Sequence, residues 1–219
     1  MARLTRHPSF VNLAALQEAG LTGEMIASGI TYVHNILDGL DGQLLSAGAF
    51  RLSQMFELAN VSSMLGNLLG AGIANASDGA FLRNGPHRYP DLLAQVPQAS
   101  DVEIKVSLET NKPKGHLAKP GYYLTCRYVL CNEQGVYVRG KADRGDVAWI
   151  WEIRFGWLDE EHFTLSNTSG DSGKTAVVNG AGMEQLTVIF CDLDRCPYGA
   201  RSQHLRHYQN LYGTPPDVS

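Results

Sequence analysis

Asp91, Glu103 and Lys105 are the residues whose types and spacing could do chemistry together. Pro90-Asp91 starts one apolar run. Glu103-Ile104-Lys105 sits inside a second, "DVEIKVSLE", and Glu103 follows Asp91 by twelve positions. Side chains alternate between faces in an extended chain. Val102, Ile104, Val106 and Leu108 then form a core face, and Glu103, Lys105, Ser107 and Glu109 form the other. Glu103 and Lys105 point the same way, about 7 Å apart along the strand. A short strand, a turn and a return would bring Asp91 beside Glu103. Two carboxylates on adjacent strands make a hard-oxygen site for Mg2+. Held together they repel unless a cation sits between them. Such an ion activates water and stabilises charge on a phosphate, and a nearby lysine assists the nucleophile. A lone Glu-x-Lys pair also has a plainer meaning, a solvated strand face, so the surrounding elements must decide.

Those elements change texture along the chain. Residues 11–48 read as short helical stretches broken by glycines. Residues 49–74 read as one long helix with a Gly-rich end, close-packed or frayed. From Leu52 to Ser77 its sole charged residue is Glu57, in a polar stripe with Ser53, Asn60 and Asn67. The stretch before Asp91 is turn-rich and reads as a hairpin or short strand. From residue 91 onward "DLLAQV", "DVEIKVSL", "YYLTCRYVLC", "VYVRG", "VAWIWEIRFGWL" and "LTVIFCDL" read as strands. "YGARSQHLRHYQNLYG" reads as a C-terminal helix. Helices first and strands after predict one α/β (α+β) domain over 1–219. It divides into a helical N-terminal segment (1–48), a core (49–200) and a C-terminal helix with tail (201–219).

Pro90-Asp91 followed by Glu103-Ile104-Lys105 resembles the signature of the PD-(D/E)xK nuclease superfamily, which includes type II restriction endonucleases and mismatch-repair nicking enzymes. The resemblance covers roughly residues 50–110. It implies a restriction-endonuclease-like fold, a mixed central sheet flanked by helices. It implies Asp91 and Glu103 as ligands of Mg2+, Lys105 as the residue that positions or activates water, and Glu57 as the acidic residue of the preceding helix. Downstream the chain departs from the pattern: a helix is expected soon after the Glu-x-Lys strand, and "GYYLTCRYVLC" reads instead as another strand.

Basic residues bracket the signature. "ETNKPKGHLAKPG" supplies Lys112, Lys114, His116 and Lys119 just after it, and "RNGPHR" supplies Arg83, Asn84, His87 and Arg88 just before. Lys and Arg contact phosphates, and Asn, Arg and Lys read base edges. The expected function is a Mg2+-dependent endonuclease hydrolysing phosphodiester bonds of double-stranded DNA, of the site-specific type II restriction kind. The expected assembly is a homodimer matching a palindromic site. The alternatives are a repair or nicking nuclease, and a non-catalytic nucleic-acid-binding module with a nuclease-like fold.

The rest of the sequence bounds this reading. In the 219 residues, hydrophobic residues make up 44% and charged residues 18%, values of a chain with a real core. The formal net charge of −4 does not announce a nucleic-acid binder, but a local basic patch matters more than the total. No apolar run approaches the ~20 residues of a membrane span. The basic N-terminus lacks an apolar signal core, so a cytoplasmic protein is expected. The pairs Cys126/Cys131 and Cys191/Cys196 could hold zinc, but residues five apart on a strand face opposite ways, which favours four reduced thiols. "TSGDSGKT" has Thr168 where a phosphate loop needs glycine. Its "GDSG" lacks the upstream histidine and aspartate settings of a trypsin-type protease, so a polar turn is expected.

Overall fold

The computed structural model describes residues 10–85, 88–115, 118–140, 142–166 and 175–212. After a 3-10 helix (Leu13–Ala19) come α1 (Gly23–Ser46), α2 (Leu52–Met55), α3 (Leu58–Asn75), β1 (Phe81–Arg83), β2 (Leu92–Ala94) and β3 (Val102–Leu108). Next are β4 (Lys114–Gly115), β5 (Gly121–Cys131), β6 (Val147–Leu158), β7 (Phe163–Ser166), β8 (Thr175–Val178), α4 (Gly180–Gln185), β9 (Thr187–Cys191) and α5 (Gln203–Leu211). The fold is mixed α/β, a six-stranded mixed sheet flanked by helices.

The helical layer is built by close approach. Thr22 caps α1 by accepting a 3.2 Å bond from the Met25 amide. Ile26, Ile30, Val33 and Leu37 then fall on one buried stripe. The glycines expected to break this region do not. α1 runs unbroken through Gly29, Gly39 and Gly42. A Cβ on Gly72 of α3 would lie 2.8 Å from the Gly29 Cα and 2.7 Å from the Tyr32 Cβ. The two glycines are where α1 and α3 cross, so the Gly-rich end of α3 is close-packed. The expected single helix over 49–74 is two. Arg51 pairs with Asp146 (3.3 Å) and Asp41 (3.7 Å), and Asp41 accepts from the Leu52 amide (2.9 Å). These bonds fix α2 to the end of α1. The chain turns through extended backbone at Phe56 and Glu57 before α3 lies down on the sheet.

The sheet order is β1-β2-β3-β5-β6-β9. β1, β2 and β3 form an antiparallel meander, β5 runs parallel to β3, and β6 and β9 follow antiparallel. The segment after the Glu-x-Lys strand is a strand, as its β-branched and aromatic content predicts. A smaller antiparallel sheet, β4-β8-β7, is built around β8. The expected strand at 136–140 is absent. There Asn132 accepts from the Gln134 and Val136 amides (3.1 and 2.9 Å), closing a turn instead. Ile104 and Val106 pack under Gly66 and Gly70 of α3, so the predicted core face of β3 is the helix face. Among the described residues no helix is long and apolar enough to cross a membrane.

Candidate active site

The meander places the signature residues. Leu92 pairs with Val102, so antiparallel register sets Asp91 opposite Glu103 on the face away from α3. Asp91 is anchored twice. Its Oδ2 accepts a 2.7 Å bond from the Ile104 amide, and its carbonyl accepts a 2.8 Å bond from the Asn84 amide. Glu103 Oε1 accepts from Lys105 Nζ at 2.6 Å. The other carboxylate oxygen, Glu103 Oε2, is buried and has no hydrogen-bond partner. Burial, and then the charge of Glu103, push the Asp91 carboxyl up to about 6, against the pull of the Ile104 amide and Lys105. Two buried carboxyl groups in contact are held together by a shared proton or by a cation between them. The donor set, all oxygen, suits a hard ion such as Mg2+.

Aromatic residues wall this pair. The Tyr123 ring centroid lies 5.8 Å from Lys105 Nζ, and the Tyr123 hydroxyl donates to the Lys119 carbonyl at 2.7 Å. Lys119 Nζ sits 4.6 Å from the Tyr89 ring centroid, a cation–π contact that holds its charge beside the residue two before Asp91. Burial, and less so the charges of Glu103, Asp101 and Asp91, raise the Tyr89 hydroxyl above its ordinary range.

Not all the expected residues gather here. Asp91, Glu103 and Lys105 converge, with Lys119 alongside. Lys112 and Lys114 are exposed on the segment that leads from β3 into β4, and Arg88 is exposed just before Asp91. Arg83 turns to the helix face, where it donates to Asn67 Oδ1 at 2.9 Å. The Asn84 side chain is committed within the chain: its amide donates to the Pro90 carbonyl (2.9 Å) and its oxygen accepts from the Gly85 amide (2.8 Å). His87 and His116 lie outside the described residues, as do residues 168–174 of the polar turn. Glu57 is not brought to the site. It is the exposed N-terminal flank of α3, beside Leu58, whose carbonyl accepts from Tyr128, and Tyr128 pairs with Leu108 at the far end of β3. The break before α3 removed it from the stripe in which the sequence placed it.

A second charged cluster was missed. Glu152 is fully buried, bonded through Oε1 to Arg154 Nε (2.7 Å) and the Tyr208 hydroxyl, with Arg127 Nη1 at 3.3 Å from Oε2. Register puts Thr125 between Lys105 and Arg154, and Arg127 between Ser107 and Glu152, all on one face. A polar row therefore crosses the sheet from the carboxylate pair to α5. Its signal was legible: Glu152-Ile153-Arg154 repeats the charge-apolar-charge pattern of Glu103-Ile104-Lys105 inside an apolar strand.

Cys126, Cys131 and Cys191 are buried, Cys196 is half-buried, and none of the four is in a disulfide. Cys126 joins the helix-side core and Cys131 an apolar cluster with Trp151 and Cys191, which fits their expected opposite facing. Among the described residues no group of three or more His, Cys, Asp or Glu side chains could hold a metal. No protein-family model matches the chain, and no curated protein matches it.

Proposed function

We propose that the protein is a Mg2+-dependent endonuclease of double-stranded DNA, of the site-specific type II restriction kind, with a restriction-endonuclease-like fold. The observation that carries the reading is the convergence of Asp91, Glu103 and the Lys105 ammonium on one face of the sheet. Asp91 and Glu103 would hold the ion. When bound, such a cation supplies Lewis-acid stabilisation of phosphate charge and an acidified water. Asp91 is oriented by the Ile104 amide, so it presents its remaining oxygen in fixed geometry. Lys105 neutralises Glu103 in the resting site and stands where it can orient the attacking water. The expected role of Glu57 is not part of this proposal. Lys112, Lys114, Lys119 and Arg88 supply phosphate contacts around the pair. A cytoplasmic homodimer belongs to the reading, and apolar surface is available for one: Phe50, Phe56 and Met55 are 69%, 51% and 48% exposed around α2.

The test is cleavage of a mixed duplex pool with Mg2+, followed by sequencing of the ends. Asp91→Ala and Glu103→Ala should each lower the cleavage rate by at least about a hundredfold while leaving the circular dichroism spectrum unchanged. Either variant cutting near the native rate would sink the assignment.

A further inference from the structure

We propose that Gly115 is a positioning residue that holds the Lys105 ammonium against Glu103. Lys105 is a lysine only 6% exposed, and its stem lies against Gly115 of β4. A Cβ built on Gly115 would lie 2.7 Å from Lys105 Cε and 3.2 Å from Cδ, and would meet Nζ first of all. No heavier residue fits there while the lysine stays where it is. Backbone conformation does not require the glycine, since Gly115 is not among the positive-φ glycines. Its reason is space.

β4 is held in place by its own pairing. Lys114 and Gly115 are paired with Val177 and Ala176 of β8, and the Pro113 carbonyl accepts from the Val178 amide at 2.9 Å. Behind that pairing, Ala176 and Val178 are fully buried in the apolar cluster with Phe163 and Met183. The lysine is the part that must give. Its Nζ is tied to Glu103 Oε1, so giving way breaks the ion pair and moves the ammonium off the carboxylate. The β4-β8-β7 sheet thus acts as a clamp, and its contact with the lysine is one hydrogen atom deep. The effect on cleavage rests on the nuclease reading; the effect on the ion pair does not.

A double-mutant cycle tests this on the full chain by urea unfolding, with Gly115→Ala made in the native and in the Lys105→Ala background. The expected result is a lower urea midpoint in the native background and an unchanged midpoint where Lys105 is already alanine, because the clash and the pair are both gone. An equal loss in both backgrounds would place the role of Gly115 elsewhere and overturn the proposal. If Gly115→Ala alone does not fold, recovery of a cooperative transition in the double variant supports the clamp, and no recovery overturns it. In DNA cleavage, Gly115→Ala should be slower by on the order of a hundredfold, with Ca2+-supported duplex affinity kept, because a misplaced group loses rate before binding. A native cleavage rate in that variant would also overturn the proposal. If the native protein cuts no duplex at all, the nuclease reading fails and the unfolding cycle still decides the clamp.

Discussion

Asp91 carries a cost that pH can expose. Its folded value of about 6 stands above the ordinary 3.8, mainly from burial and next from Glu103. A raised value means the neutral form is the one the fold prefers. The stabilisation is fully present below the unfolded value and is lost as pH rises through about 6. At neutral pH the ion-free pair is therefore a strain on the fold, worth on the order of 1–3 kcal/mol. Asp91→Asn keeps an oxygen for the Ile104 amide and removes the charge. Urea unfolding without divalent ions should find Asp91→Asn more stable than the native chain at pH 7.5, with the gap closing at pH 4.5. Added Mg2+ should stabilise the native chain at pH 7.5, less so at pH 5, and leave the Asn variant unmoved. A native chain whose pH profile matches that of the variant would show that neither burial nor Glu103 raises Asp91.

At the scale of elements, the alternation of β3 was legible because one face packs on α3 and the other carries charge, which is what period two records. The spacing from Asp91 to Glu103 was legible for the same reason: it is the length of one antiparallel return. What the sequence hides is set by partners far along the chain. The turn at Phe56–Glu57 follows from Arg51 meeting Asp146 and from Asp41 capping α2, and the Gly115–Lys105 contact joins two different sheets. Residues 136–140 have strand texture but join no ladder among the described residues. Glycines were misread most, because breaking a helix and letting two helices touch call for the same residue. The two uses predict opposite signs. Gly72→Ala places a methyl 2.7 Å from the Tyr32 Cβ and 2.8 Å from the Gly29 Cα, and should destabilise by about 1–3 kcal/mol. Gly42→Ala in α1 meets nothing within 4 Å and should stabilise, by up to about 1 kcal/mol. Urea unfolding of the two single variants compares them directly. The same sign for both would mean that the α1–α3 crossing is not held by these glycines.

The whole molecule has a net charge of −4, so any hold on DNA must come from how charge is distributed over its faces. The α3 face takes Arg83 into contact with Asn67, and the polar row of the other face ties Arg127 and Arg154 to Glu152. On the segments that flank the carboxylate pair in sequence, Arg88, Lys112, Lys114 and Lys119 are exposed, the last steadied on Tyr89. A duplex whose phosphate reaches Asp91 and Glu103 must run past this set. Each lysine that neutralises a phosphate releases counterions, so its loss should flatten the plot of log affinity against log salt by about 0.9. That loss should be equal for cognate and random duplexes, since phosphate contacts carry no sequence information. Measured with Ca2+ in place of Mg2+ over a salt series, Lys112→Ala, Lys114→Ala and Lys119→Ala should each show it. Arg83→Ala should leave the slope as it was, because that side chain faces α3. A slope altered by Arg83→Ala and untouched by the three lysines would carry the DNA to the opposite face. The carboxylate pair would then sit too far from any phosphate to act on it.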